Sequence, residues 1–274
     1  MIELNKYRKN IFYNYGYNQC PYYGEDGVIL KIFETIKTSK SPLCVEFGES
    51  RVLGTTTRSF RINYRSKSIY FTGDYGIKSF LLNLIDVIKI IFITKNIKYF
   101  KFFKNFPFKY FITLDNVSSL FKKKIENNEI DILTIDIDSY DYYLAKQILN
   151  DNYKPRLLIL EYNPSFGLEK SLSYPITGLI NKNKRLYGAS FKALKKLAEE
   201  FGYKLCFVSG FCNLFFIRED YSSLFIEPDI KDEITDTNDK VIDYINKYCQ
   251  EGFIPSWLNQ PELTKSDFLL LDQL

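Results

Sequence analysis

Acidic residues stand at the ends of four apolar runs: Glu46-Phe47-Gly48, Gly73-Asp74, Asp136-Ile137-Asp138 and Glu161-Tyr162-Asn163. Carboxylates accept hydrogen bonds from hydroxyl and amino groups, so an acid closing the second run suits the two hydroxyls of a ribose. Gly48 has no Cβ and lets a ligand approach the backbone. Asp138 or Asp141, taken with Glu161 and Asn163, is also an oxygen donor set of the kind that holds Mg²⁺ or Ca²⁺. A divalent ion there would lower the pKa of a substrate hydroxyl. The same residues have a structural alternative. Asp141 can cap the helix that follows it, Asn163-Pro164 can form a turn, and strand ends are polar because they meet loops.

The chain has no histidine in its 274 residues. Ser-His-Asp and Cys-His catalysis and histidine-ligated zinc are excluded, which leaves Asp, Glu, Lys, Tyr or a thiolate as a general base. The five cysteines are scattered, with no Cys-x-x-Cys pair. A disulfide framework is not expected, and a reducing, cytoplasmic setting fits. The N-terminus carries no secretory pattern. The longest apolar stretch, Phe80 to Thr94, is interrupted by Asp86 and Lys89 and is too short and charged to span a bilayer. The net charge of +4 is spread among mixed signs, so no nucleic-acid partner is expected.

The acids must be positioned by the elements around them. Apolar runs at Leu43–Gly48, Ser68–Asp74, Asp131–Asp136 and Arg156–Glu161 read as buried strands, and Tyr203–Ser209 and Asn213–Arg218 as a closing antiparallel pair. Helical spacing marks Asp26–Thr38, Tyr142–Leu149 and Ser190–Phe201, the last with Ser190 as N-cap and Gly202 as its stop. Alternating strands and helices predict a doubly wound α/β fold with a mostly parallel sheet covered on both faces. Residues 1–274 are expected to form a single domain. Within it lie an arm at 1–23, a basic aromatic insertion at 77–109 and an extension at 219–274, with a helix at Asp239–Cys249 and an irregular tail, Gly252–Leu274, expected to pack back on the domain. In such sheets ligands bind outside the carboxyl ends of the strands, where the four acidic segments fall.

Several segments resemble, in order, the landmarks of FkbM-like methyltransferases. They are Tyr23-Gly24-Glu25-Asp26-Gly27, Val45-Glu46-Phe47-Gly48, Gly73-Asp74, Ile135 to Tyr142, Leu160-Glu161-Tyr162-Asn163-Pro164, Tyr187-Gly188-Ala189-Ser190 and Asn213 to Arg218. The resemblance implies a seven-stranded class I methyltransferase fold that binds S-adenosylmethionine and methylates an oxygen of a small metabolite or glycan. It implies Glu46, Gly48, Gly73, Asp74 and Asp136 on the cofactor side. Asp138, Asp141 and Glu161 would serve as catalytic residues, and Tyr162 and Asn163 would meet the acceptor. The loop Glu49-Ser50-Arg51-Val52-Leu53-Gly54 lacks the Asp-Gly usual in such families. That departure supports an alternative, a non-catalytic binding or scaffold module of the same fold.

Two expectations concern side-chain direction. Alternate strand residues share a face, so Asp136 and Asp138 would point the same way. Asp136 is then expected to be the more buried and to take backbone or hydroxyl donors, with Asp138 and Asp141 opening toward the ligand beside Glu161. In the insertion, Leu81, Leu82, Leu84, Ile85 and Ile88 are expected to pack on the core and leave a solvated lysine face. Its interleaved lysines and aromatics also make a membrane surface a partner that residues 77–109 could meet.

Overall fold

The computed structural model describes residues 1–7, 25–48, 55–72, 77–94, 108–109, 112–125, 129–176, 186–209, 212–230, 264–269 and 271–274. Eight elements precede the second half of the sheet: α1 (Glu25–Ile36), β1 (Leu43–Phe47), α2 (Arg58–Tyr64), β2 (Lys67–Thr72), α3 (Ile77–Thr94), β3 (Phe108–Lys109), α4 (Leu114–Lys124) and β4 (Ile132–Ile135). Then follow α5 (Asp141–Asn150), β5 (Leu157–Glu161), β6 (Leu172–Ser173), α6 (Phe191–Glu200), β7 (Tyr203–Ser209), β8 (Asn213–Arg218), α7 (Glu219–Ser222), α8 (Lys265–Phe268) and β9 (Asp272–Gln273). The main sheet has seven strands in the order β3-β2-β1-β4-β5-β8-β7. β1 pairs in parallel with β2 and β4, β2 pairs in parallel with β3, and β7 and β8 close the far edge as an antiparallel pair. This is the mostly parallel α/β architecture expected from the apolar runs.

The chain gathers into two compact units. The first holds residues 7–136 and 147–158. All five residues of β1 are buried, as a strand covered on both faces requires. The faces differ in chemistry. One carries Phe47 and Phe71, which stack on each other and on Phe121 of α4 with centroids 4.9, 5.7 and 5.9 Å apart. The other carries Cys44 and Glu46 in register with Ser68 and Tyr70. Over that second face the Arg61 guanidinium of α2 lies 4.9 Å from the Tyr70 ring centre. At the opposite edge of the strands Asp131 is fully buried. Its carboxylate accepts from Ser39 N–H (3.0 Å), Ser39 Oγ–H (2.7 Å), Leu43 N–H (3.0 Å) and Arg156 Nη1 (3.1 Å). Arg156 Nη2 donates to the Ile36 carbonyl at the end of α1, 2.9 Å away.

The insertion packs differently from expectation. Residues 77–94 form one long helix and Phe108–Lys109 add an edge strand to β2, while 95–107 lie outside the described residues. Among the described side chains of α3, Asn83, Asp86 and Val87 are buried, whereas Leu81, Ile85 and Ile88 are 50, 45 and 42% exposed. The expected inward stripe is therefore corrected at Leu81, Ile85 and Ile88, while Leu82 and Leu84 are half-buried: the helix is turned so that its polar pair faces the protein. A helix apolar nearly all round does not specify its own rotation. Among the described residues no helix is long and apolar enough to cross a membrane.

The second unit holds residues 1–6, 137–146 and 159–274. Here α6 starts on Ser190, whose side chain accepts from Ala193 N–H at 3.2 Å, and stops before Gly202 at φ 78°. Phe207 and Phe215 meet edge to face across the β7–β8 pair at 5.1 Å. The C-terminal residues pack back, as β9 pairs with β6 and Leu271 joins a buried cluster with Phe166, Leu172, Tyr174 and Leu186. At the other terminus, expected as an irregular arm, Ile2 N–H donates to the Leu224 carbonyl at 2.7 Å. The expected helix Asp239–Cys249 lies outside the described residues.

Removing one partner of a buried, hydrogen-bonded ion pair leaves the other charge uncompensated. Asp131→Ala is expected to lower unfolding free energy by about 3–5 kcal/mol in urea titrations. Lys195→Ala, which breaks the exposed Lys195–Glu227 pair, should cost only about 0.2–1 kcal/mol in the same assay.

Candidate functional site

In the first unit the chain runs outward from β1 to β2 and β3, then returns to lay β4 on the other flank of β1. The reversal puts a topological switch point between β1 and β4, the place where open α/β sheets open a crevice at the carboxyl ends of the strands. The last paired residues there are Phe47 and Ile135, followed by Gly48 and Asp136. Gly48 is exposed and has φ 101°, a conformation open to glycine and strained for any side chain. Its N–H donates to the Phe71 carbonyl at 3.0 Å and so carries the β1–β2 ladder one residue beyond the strand. Asp136 is half-buried. Gly73, Asp74 and the loop 49–54 lie outside the described residues.

Glu46 is buried at 3% exposure, and both of its oxygens hold the start of α2. Oε1 accepts from Thr56 N–H at 2.9 Å, and Oε2 accepts from Thr57 Oγ1–H at 2.7 Å and Thr57 N–H at 3.4 Å. A carboxylate at a helix N-terminus satisfies backbone donors and meets the positive end of the helix dipole. The Thr55-Thr56-Thr57 run before a helix is the signal that could have disclosed this partner.

In the second unit, backbone hydrogen bonds bring four separated segments together. Gly188 N–H donates to the Ser139 carbonyl (2.9 Å), Asn163 N–H to Ala189 (2.8 Å) and Tyr162 N–H to Cys212 (2.8 Å). The Asn163 side chain donates to the Tyr187 carbonyl at 2.9 Å and accepts from Ser165 N–H at 2.9 Å. Tyr162 is buried with its ring edge-on to Phe191, and burial pushes its phenol well above the ordinary range, so it does not act as a base near neutral pH. Asp138 and Glu161 are half-buried. The Glu161 carboxylate lies within 4.8 Å of the Cys212 sulfur, a neighbour that sequence reasoning did not name.

The expected order of burial fails at Asp141, while Asp136 and Asp138 are both half-buried. Asp141, not Asp136, is the fully buried acid. Its oxygens accept from Ile137 N–H and Ser139 N–H, each at 2.8 Å, and so clamp the turn that holds Asp138 at φ 56°. The carboxylate reaches back over the turn instead of opening outward, because two unpaired amide donors precede α5 and one acid can satisfy both. These bonds also bear on the metal expectation. Asp141 and Asn163 have their side-chain oxygens committed to backbone donors inside the protein, so the set does not fit a hard cation that needs several open oxygens. Burial likewise pushes the Cys44 and Cys206 thiols up, which removes them as thiolate bases.

No family model matches the sequence, and no curated protein matches it. Among solved structures the chain is similar to the methyltransferase domain of bacterial CtHen1-C, with TM-score 0.41 and 13% identity over 70% of this chain and 96% of that one. It is similar to magnesium protoporphyrin IX methyltransferase (ChlM) from Synechocystis PCC 6803 with bound SAH, with TM-score 0.40 and 12% identity over 78 and 98%. An O-methyltransferase family protein from Burkholderia thailandensis gives TM-score 0.38 and 8% identity over 71 and 58%. Each of these likenesses is weak.

Desolvation raises the Asp141 pKa from the ordinary 3.8 to about 6, against the lowering effect of its backbone donors. Between those two values the folded chain holds a proton that the unfolded chain has released. Protonation therefore favours folding in that window, and this group's contribution falls as pH rises from about 4 to about 6, then stays level. Asp141→Asn should remove that slope from a plot of urea midpoint against pH. An unchanged slope in the variant would show that another group causes it.

Proposed function

We propose that this chain is an S-adenosylmethionine-dependent methyltransferase acting on an oxygen of a small-molecule or glycan acceptor. The observation that carries the proposal is the switch point between β1 and β4, with the side-chain-free, exposed Gly48 at its mouth and Asp136 beside it. A strand exit that only glycine can occupy fits close approach of a bound group to the backbone. When bound, S-adenosylmethionine supplies a methyl group on a positively charged sulfur, open to in-line attack by an acceptor oxygen.

The chain's own residues take distinct parts. Gly48 admits the cofactor, and Asp136 and Gly73-Asp74 supply acceptors for its hydroxyl and amino hydrogens. Glu46 acts through the loop, since its oxygens already hold Thr56 and Thr57. In a chain without histidine, the proton leaving the acceptor hydroxyl passes to a carboxylate. Glu161 and Asp138 are half-buried and suited to that task, whereas Asp141 is sealed in as the clamp of the turn beside Asp138. Tyr162 and Asn163 shape the acceptor side from within, through the backbone bonds that fix their loop. Positioning and exclusion of water supply most of the acceleration in such a transfer. No step needs a metal.

The alternative is a non-catalytic binding module of the same fold, and one measurement separates the two. Isothermal titration with S-adenosylmethionine should show one site, and ligand at about a hundred times its dissociation constant should add roughly 2.7 kcal/mol to thermal stability. Asp74→Ala should weaken binding by about 1–3 kcal/mol, the cost of leaving polar partners unpaired. Gly48→Val should abolish binding while β1 stays intact. Absence of heat and of any thermal shift in the wild-type chain would rule out the enzyme.

A further inference from the structure

The last residues of the chain are joined through β6 to the loops of the proposed acceptor side. On one edge β6 pairs with β9 in the antiparallel register Leu172–Gln273 and Ser173–Asp272, and Leu274 N–H donates to the Ser171 carbonyl at 3.0 Å. On the other edge Ser173 faces Ala189 in an antiparallel bridge, Tyr174 N–H donates to the Gly188 carbonyl at 2.9 Å and Ser190 N–H to the Leu172 carbonyl at 2.8 Å. Residues 188–189 pass the connection on. Gly188 N–H reaches the carbonyl of Ser139, next to Asp138, and the Ala189 carbonyl receives the N–H of Asn163, two residues after Glu161. Side chains repeat the link. Tyr143 on α5 donates its hydroxyl to the Asp272 carboxylate at 2.5 Å. Leu271 closes the cluster of Phe166, Leu172, Tyr174 and Leu186, and Phe268 of α8 packs against it.

This attachment is small. Both residues of β9 are exposed, and Leu271 is the fully inserted side chain of the segment. A two-stranded pairing is marginal by itself, and a contact resting on one leucine opens at a fraction of the free energy of global unfolding. Its loss would reach the loops. Phe166, Leu172 and Leu186 are 1, 3 and 3% exposed with Leu271 in place, and they would meet water once it left. Loops that admit a substrate are drawn from the parts of a fold that open locally. We infer that the C-terminal segment, residues 264–269 and 271–274, is a strap that fixes the loops carrying Asp138 and Asn163, and that its local release is the motion by which those loops loosen around an acceptor. The inference rests on the reading of these loops as the acceptor side. Leu271 and Asp272 act through β6 and Tyr143, as positioning residues.

The test is amide hydrogen exchange on the full chain, without cofactor or acceptor. In the wild type the amides of Asn163, Tyr174, Gly188 and Leu274 should exchange through one shared opening, faster than the amides of β7 and β8. Leu271→Asp should speed exchange at Asn163, Tyr174 and Gly188 by about tenfold or more while β7 and β8 keep their wild-type rates, and Leu271→Met should restore protection. Tyr143→Phe removes one hydrogen bond of the strap and leaves the apolar cluster whole, so it should speed the same amides by less, and it serves if Leu271→Asp does not fold. Two results would overturn the inference. In one, the Leu274 amide loses protection while Asn163, Tyr174 and Gly188 keep theirs, so that the strap leaves without loosening the loops. In the other, β7 and β8 accelerate equally, which makes Leu271 an ordinary part of the global core. A wild-type chain that shows the shared opening but gives no heat with S-adenosylmethionine would sink the methyltransferase reading and leave the strap in place.

Discussion

The buried carboxylate of Asp131 is the constraint on which the parallel part of the sheet depends. It stands just before β4 and takes hydrogen bonds from Ser39, from Leu43 at the start of β1 and from Arg156 just before β5. Arg156 in turn reaches the carbonyl end of α1 at Ile36. Three stretches of chain far apart in sequence, residues 36–43, 131 and 156, thus meet at one charge pair. Burying two charges costs several kcal/mol, and attraction in a low-dielectric interior offsets that only where hydrogen bonds of this kind accompany it. What the pair secures is register. Side chains on a strand alternate with a period of two, so a slip of one residue between β1 and β4 would turn Phe47 out of its stack with Phe71 and Phe121 and push Glu46 into the apolar face. The clasp at the entry edge is therefore what fixes the positions of Gly48 and Asp136 at the exit edge.

The unequal faces of β1 and β2 follow from the same register. One face is a stack of rings. The other puts Cys44, Glu46, Ser68 and Tyr70 side by side under α2, where Arg61 spans from the Thr55 hydroxyl to the Tyr70 ring. Polar groups in an interior are tolerated when they bind one another or backbone donors. Glu46 meets that condition by capturing Thr56 and Thr57, which turns an acid in a strand into the anchor of the next helix. The polar face and the start of α2 are thus one construction: Thr56 and Thr57 lead into α2 where they do because the strand carries an acid to receive them.

What the sequence made legible divides along physical lines. Buried parallel strands are near-continuous apolar runs bounded by Gly and acids, and these were readable at β1, β2, β4 and β5 to within a residue or two. The cap and stop of α6 were readable because Ser190 and Gly202 act locally. Elements whose existence depends on tertiary partners were not. The two-residue β3 has too little pattern of its own, and α2 draws its stability from Glu46, Tyr70 and Phe33 rather than from a periodic face. The rotation of α3 escaped for a different reason. With apolar residues on nearly every side, it took the burial of Asn83 and Asp86, the opposite of the usual rule, to decide which side faces inward. Among the candidate site residues, the strand ends that carry acids were readable, but which acid the backbone donors consume was not.

The choice among acids has a simple physical basis. Among the buried acids, Glu46, Asp131 and Asp141 each spend both oxygens on donors, chiefly backbone amides at a turn, a strand start or a helix start. Each holds a bend in the chain that would otherwise leave amides unsatisfied in the interior. Asp138 is held the other way. It sits at φ 56°, a left-handed conformation that costs a non-glycine residue on the order of 1 kcal/mol. The two 2.8 Å bonds from Ile137 and Ser139 to Asp141 bracket it on either side and offset that cost. Asp141 thus presents its neighbour, and the acid closed off inside the turn determines where the half-buried one at its tip can point.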